Sequence, residues 1–315
     1  MKSFAKRFLF VGFCCLMMIS GPLVWAQADT GPTPVRSTAF EPTLFEVEVT
    51  GHGRPVLFIP GLMSDARTWA SVQEAFAPEY ELHLINIKGF GQTPSPLDTE
   101  AVKPGWLAQV SEELVKYIHN NDLENCALIG HSMGGFLAMN VALQQPVRVS
   151  SVVSVDGLPY FAPILTRNPN TQADDMHIHA QRSLAHYRGL QTGEELASTV
   201  AQGIAVHATS PSNQQWIIDM NAQSDPSVVA VAVHDLLLWD LRKDLSELTQ
   251  PLLILGATGA MPDSMQEQAA SLYAQQLEQL PPGQNKVLKI HTSARHFLML
   301  DDADWLTAQI QEHLQ

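Results

Sequence analysis

Short apolar runs of strand length alternate with helical patterns through most of this chain, and this alternation limits its fold more than any other feature. The first run, Leu44 to Val49, alternates apolar and polar residues. Continuous apolar runs follow at Pro55 to Ile59, Leu82 to Ile87, Cys126 to Ile129, Val152 to Val155, Leu252 to Leu255 and Val287 to Ile290. Continuous apolar strands are typical of a sheet that is buried on both faces. Helical patterns lie between them, over Leu107 to Ile118, after Ser132, over Asp263 to Leu280 and over Ala303 to Leu314. The order predicts an α/β fold with a mostly parallel central sheet and helices on both faces.

The alternation stops between residues 157 and 241, where no strand pattern is present. Apart from a predicted loop at Ile164 to Asn170, this stretch has sequence compatible with helices. It is therefore interpreted as a helical cap insertion, and residues 44–156 and 242–315 as the core. An insertion that follows a strand of an α/β sheet can fold over the carboxyl edge of the sheet, where such folds bind ligands.

The N-terminus has the features of an export signal. Lys2, Lys6 and Arg7 precede an apolar run from Phe8 to Ile19, and Ala26-Gln27-Ala28 gives a small-residue cleavage site. The apolar run is about 12 residues, short of the roughly 20 that cross a bilayer. Residues 1–28 are thus predicted to be a bacterial-type signal peptide and residues 29–43 a linker, which makes the protein periplasmic or secreted. A retained membrane anchor is the alternative, whereas signal removal leaves no stable membrane span.

Charge and cysteine content exclude several classes of protein. The chain of 315 residues has 18 Lys and Arg against 32 Asp and Glu, a formal net charge of −14. Nucleic-acid binding relies on clustered basic residues, and we expect no nucleic-acid partner. Three Cys are too few for a disulfide scaffold or a Cys-rich zinc site, and we expect neither cofactor nor metal. The oligomeric state is left open.

The segment Gly130-His131-Ser132-Met133-Gly134 carries the strongest chemical signal in the chain. It lies between an apolar strand pattern and a helical pattern rich in Ala, Met and Leu. A serine in such a tight strand-to-helix turn projects Oγ above the sheet edge, and glycines on either side avoid steric clashes in the turn. Ser132 is the predicted nucleophile.

Two other segments are expected at the same edge of the sheet. Pro60-Gly61-Leu62 ends the second apolar run, and its Leu62 amide with the Met133 amide would form an oxyanion hole. His296 follows the last strand pattern and precedes the last helix, which is the place for a general base that must reach the serine. A turn that merely ends a strand is the alternative for residues 60–62.

From about Phe45 to the C-terminus, these motifs resemble the α/β-hydrolase fold superfamily, in its serine lipase and esterase-like branch. Pro60-Gly61-Leu62 resembles the oxyanion turn of the family, Gly130 to Gly134 its nucleophile elbow, and Arg295-His296-Phe297 its histidine loop. The resemblance implies a Ser–His–acid triad and an acyl-enzyme formed on Ser132. The chain departs from the family at Pro60, where many members carry His.

The position of the triad acid is the second departure of this chain from the family pattern. Many members place it just after the penultimate strand, but here Gly256 to Ala260 holds no carboxylate and Asp263 is the first one. Some relatives use the strand after the elbow helix instead, and that strand ends in Asp156. Asp156 is the first choice and Asp263 the alternative acid, with Asp240 and Asp301 as further candidates; a turn former without a catalytic role is the other interpretation of Asp156.

The sequence thus predicts an exported serine hydrolase that cleaves a carboxylic ester or a related small acyl substrate. A lactonase, an amidase or peptidase and an acyltransferase would use the same triad. A protein of this fold that binds a ligand without turnover remains the alternative from a different class.

Overall fold

A computed structural model of the protein describes residues 40–96, 102–278, 280 and 286–315. The predicted signal peptide and residues 29–39 of the predicted linker lie outside the described residues. Within the described ranges, no helix is long and apolar enough to cross a membrane.

Seven strands form one sheet in the order β1-β3-β2-β4-β5-β6-β7. Each corresponds to one of the predicted runs, although β1 begins one residue after Leu44: β1 (Phe45–Gly51), β2 (Arg54–Ile59), β3 (Tyr80–Ile87), β4 (Cys126–His131), β5 (Val149–Val155), β6 (Leu252–Ala257) and β7 (Lys286–His291). Strand β1 pairs antiparallel with β3, and every other pairing is parallel. The carboxyl ends of β2, β4, β5, β6 and β7 therefore meet at one edge.

Eleven α-helices lie in the described part of the chain. They are α1 (Ala70–Gln73), α2 (Trp106–Asn120), α3 (Met133–Gln144), α4 (Ala162–Thr166), α5 (His177–Gly189), α6 (Gly193–Ala201), α7 (Pro211–Asn221), α8 (Pro226–Leu238), α9 (Asp263–Gln276), α10 (Leu298–Asp301) and α11 (Ala303–Leu314). Short 3-10 helices occur at Ala66–Trp69, Ala173–Met176, Ile204–Val206 and Asp244–Glu247.

The two large parts of the core lie one on each face of the sheet, and a small third cluster includes Tyr160, Met176 and Leu237. Alternate residues of β4 belong to different parts: Leu128 packs with residues of α2 and α3, and Ile129 packs with residues of α10 and α11. Burial on both faces explains why the strands are continuously apolar. The predicted fold class is confirmed.

Residues 156–251, all of them described, contain α4 to α8 and no strand. The predicted loop at Ile164 to Asn170 is wrong at its start, because α4 reaches Thr166. Pro163 opens this short helix, and the Thr166 hydroxyl donates to the Ala162 carbonyl. Five residues are too few to show helical periodicity. The domain boundaries at 157 and 241 stay a prediction.

Candidate active site

The turn at Ser132 holds this residue in a backbone conformation that few side chains adopt. Ser132 lies between β4 and α3 with φ 53° and ψ −117°. Such a conformation costs about 1–3 kcal/mol in a residue other than glycine and persists where the surroundings impose it. Here the Ser132 amide donates to the Val155 carbonyl at 2.8 Å, and the Phe136 amide donates to the Ser132 carbonyl at 3.2 Å. The Ser132 hydroxyl does not cap α3.

Close packing explains both glycines of the turn. A Cβ on Gly130 would overlap the Gly134 carbonyl oxygen, and a Cβ on Gly134 would overlap the Ile59 carbonyl oxygen at the end of β2. A Cβ on Gly61 would lie 3.2 Å from the Ser132 Cβ. The turn that follows β2 therefore packs directly against the serine turn.

This packing brings together the two amides predicted to bind an oxyanion. Leu62 follows Gly61 in the turn after β2 and is half-buried. Met133 is the first residue of α3, where an amide has no acceptor within the helix. The helix N-terminus also favours negative charge. Leu62 and Met133 thus each directly follow one residue of the Gly61–Ser132 contact.

His296 lies in the loop between β7 and α10, and its side chain pairs with Asp156. The His296 Nδ1 atom is 2.6 Å from Asp156 Oδ2. Because a carboxylate only accepts hydrogen bonds, Nδ1 donates to Asp156, and Nε2 is the ring nitrogen left to act as a base. The His296 ring lies 4.7 Å, centroid to centroid, from the ring of His131, the residue before the serine.

The pairing with Asp156 is the side-chain hydrogen bond that His296 makes within the described residues, and none reaches Ser132 Oγ. Catalytic hydrogen bonds are often long or poorly aligned without substrate and tighten when it binds. The structure thus places His296 next to Asp156 and to the serine turn, without a hydrogen bond between His296 and Ser132 Oγ.

The other candidate carboxylates are occupied elsewhere or exposed. Asp263 is exposed at the start of α9. Asp240 forms a salt bridge with Arg242 at 2.6 Å. Asp301 accepts from the Thr209 amide and hydroxyl at 2.8 and 2.7 Å. Among the four candidates, Asp156 is the one that contacts His296.

Two more histidines lie beside His296, and both are held neutral. Burial, and then the charge of His296, lowers the pKa of His131 well below its ordinary value. The same two causes lower the pKa of His207 to about 4. His131 Nε2 lies 3.0 Å from the His296 carbonyl oxygen, to which it donates. His296 is thus the imidazole of this cluster that has a carboxylate partner.

The chain between α6 and α7 holds the histidine loop. The His296 amide donates to the Val206 carbonyl at 3.3 Å, and the Phe297 amide donates to the His207 carbonyl at 2.8 Å. Arg295 Nη1 donates to the Ala205 and Ala208 carbonyls at 2.6 and 2.9 Å. The sequence analysis missed this contact, since a stretch with helical patterns gives no sign of which loop it touches.

A sequence profile of the alpha/beta hydrolase fold matches residues 54–292. The chain belongs to the alpha/beta hydrolase fold family. A pimeloyl-[acyl-carrier protein] methyl ester esterase from Aeromonas salmonicida is 30% identical to this hydrolase over 217 residues, 66% of this chain and 77% of that protein.

Solved structures show the same fold. The esterase from Exiguobacterium antarcticum has a TM-score of 0.67 at 17% identity and covers 86% of this hydrolase and 95% of its own chain. The enol-lactonase from Burkholderia xenovorans has a TM-score of 0.65 at 16% identity, with coverage of 86% and 96%. At these identities the likeness concerns the fold alone.

Proposed function

We propose that this α/β hydrolase is a serine hydrolase of carboxylic esters, with Ser132 as nucleophile, His296 as general base and acid, and Asp156 as the carboxylate partner of His296. Ester hydrolysis is the activity that the family and the named relatives support. The observation that carries the proposed triad is the 2.6 Å contact between His296 Nδ1 and Asp156 Oδ2, next to the serine turn.

The reaction begins when Ser132 Oγ attacks the ester carbonyl carbon and its proton moves to His296 Nε2. The carbonyl oxygen becomes an oxyanion, which the Leu62 and Met133 amides bind. Asp156 stabilises the imidazolium that has formed. The tetrahedral intermediate then collapses, and the C–O bond to the alcohol breaks while His296 returns the proton to the leaving oxygen.

Water completes the cycle on the acyl-enzyme. His296 takes a proton from the water as its oxygen attacks the acyl carbon, and the same amides bind the second oxyanion. Collapse breaks the bond to Ser132 Oγ, which receives the proton, and the carboxylic acid leaves. No oxidant, reductant or metal enters this balance. Lactones are cyclic esters and follow the same steps.

A paired measurement of labelling and turnover tests the nucleophile. The protein and a Ser132→Ala variant are incubated with a fluorophosphonate probe and with p-nitrophenyl and methyl esters of linear acids. Ser71→Ala is the matched control, because Ser71 is an exposed residue of α1 and its hydroxyl already donates to the Met299 carbonyl at 2.7 Å. We expect Ser132→Ala alone to lose labelling and turnover.

The same panel separates the alternatives. Anilides and peptides test for an amidase or peptidase, and an excess of acceptor alcohol tests for acyl transfer. A folded protein that neither reacts with the probe nor cleaves any substrate would contradict the proposed hydrolase and favour ligand binding without turnover.

Export is a separate part of the proposal. Residues 1–28 are proposed to direct export and to be removed after Ala28, as their basic start, apolar run and small-residue exit favour. Expression of the full chain in a bacterial host, fractionation and N-terminal sequencing test this. We expect a periplasmic or secreted protein that begins at Asp29; an unprocessed chain in the cytoplasm or the membrane would contradict it.

A further inference from the structure

Asp156 is largely removed from water and receives three hydrogen bonds. Its side chain is 8% exposed. Oδ2 faces His296, whereas Oδ1 accepts from the Ala257 amide at 2.8 Å and from the Tyr273 hydroxyl at 2.5 Å. A buried carboxylate is costly unless hydrogen-bond donors satisfy it. Two of its three donors therefore lie outside the Ser–His–acid set.

Tyr273 reaches this oxygen from α9, on a helix that carries none of the triad residues. The side chain is buried, and burial followed by the charge of Asp156 raises the pKa of Tyr273 well above its ordinary value. The phenol thus keeps its proton and donates. A Cβ on Gly256 would lie 2.8 Å from Tyr273 Cε1, so the glycine at the end of β6 leaves the space that the ring occupies.

The arrangement fixes the rotation of the carboxylate. The terminal torsion of an Asp side chain is broad, and a carboxylate held by one contact can turn about it. Two donors on Oδ1 prevent that turn and keep Oδ2 at His296 Nδ1.

We propose that Tyr273 is a positioning residue of the triad: its hydroxyl, together with the Ala257 amide, holds Asp156 Oδ1 so that Oδ2 orients His296. This inference rests on the proposed hydrolase function. It also explains how a buried acid at the end of β5 is satisfied, since β6 supplies an amide and α9 a phenol as donors to it.

Tyr273→Phe is the direct test, because it removes one hydroxyl and keeps the ring against Gly256. We expect kcat for a p-nitrophenyl ester to fall about tenfold while KM changes by less than about twofold, as for loss of one hydrogen bond to a charged group that does not touch substrate. The low-field proton resonance of His296 Nδ1–H should broaden or move upfield. A merely structural role would not change this resonance.

Tyr117→Phe is the matched control. It also removes a buried tyrosine hydroxyl, which lies 2.7 Å from His83 Nδ1 between α2 and β3, near the opposite end of the strand order from β6. We expect kcat and the His296 resonance to match the unmodified protein. Tyr273→Phe with kcat and resonance equal to those of this control would overturn the proposal.

Two further variants keep the test decisive. Should Tyr273→Phe fail to fold, Gly256→Ala displaces the Tyr273 ring, together with the Ile290 side chain, while keeping the hydroxyl, and the same loss of kcat is expected. Asp156→Asn identifies the His296 resonance by abolishing it. A protein that has no esterase activity but whose resonance depends on Tyr273 would refute the proposed function and retain the positioning role, so the two failures are distinguishable.

Discussion

Replacing Asp156 with Asn would reverse the direction of the hydrogen bond to His296. Oδ1 receives two donors, from Ala257 and Tyr273. An Asn side chain has one oxygen, and these donors would retain it at the Oδ1 position. The amide NH₂ would then face His296 Nδ1 and donate to it.

This reversal selects the wrong tautomer of the imidazole. With a donor facing Nδ1, the neutral ring carries its proton on Nε2, which can then not accept the proton of Ser132. We expect kcat to fall by about 10³- to 10⁴-fold, as wrong-tautomer variants of serine triads do, or about 4–5.5 kcal/mol in the activation barrier. Asp156→Ala imposes no donor on Nδ1 and should be more active than Asp156→Asn.

Steady-state hydrolysis of p-nitrophenyl acetate measures these effects, with circular dichroism to show that each variant folds. Asp263→Asn is the matched control, since it removes the same charge from an exposed position and should keep kcat within about twofold. Asp156→Asn more active than Asp156→Ala would refute the tautomer reasoning. A hundredfold loss in Asp263→Asn would refute the choice of acid.

Three further predictions concern the surroundings of the site. Arg295→Met removes the hydrogen bonds to Ala205 and Ala208, and kcat should fall about fivefold, with faster proteolysis of the segment around residue 205; an unchanged kcat would contradict a role in holding the histidine loop. Burial, and then the His296 charge, lowers the pKa of His207 to about 4. In the unfolded chain this histidine is therefore protonated below about pH 6.5, whereas in the native protein it is protonated only below about pH 4. Between these values the free energy of unfolding should fall by ~1 kcal/mol per pH unit as the pH falls, and thermal melts at pH 7 and 5 should show a smaller drop for His207→Asn. Burial raises the pKa of Cys126 to about 12, so mass spectrometry should find this thiol alkylated by iodoacetamide only after unfolding.

The strands were predictable because burial on both faces produces a continuous apolar run in the sequence. Each apolar run is a strand, and the differences lie at the ends. Strand β5 begins at Val149. The predicted run begins three residues later, because two serines interrupt the apolar pattern. Ser150 lies where the register of β5 with β4 shifts, and its hydroxyl accepts from Arg54 and lies within hydrogen-bond distance of the Asn125 and Cys126 carbonyls. A polar residue with partners from other strands looks like a loop residue in the sequence.

The serine turn and the position of His296 were also predictable, because the features that determine them lie close together in the sequence. The glycines of the turn are set by contacts within a few residues and with the end of β2, and their spacing is visible in the sequence. His296 follows the last strand pattern directly. The insertion differs, because the contacts of its residue 205–208 segment with Arg295 join parts of the chain about 90 residues apart.

The contacts of Asp156 could not be predicted from sequence patterns, because its partners are distant along the chain. The pairing of Val155 with Leu255 brings Asp156 beside the end of β6, where Ala257 donates to it across 101 positions of the chain. Tyr273 and His296 reach it across 117 and 140 positions. None of these separations leaves a periodic signal, so four candidate carboxylates remained open from the sequence. The local sign in the sequence is Gly256: a small residue at the end of a buried apolar strand marks a place where other side chains lie against the backbone, and here these are Ile290 and Tyr273.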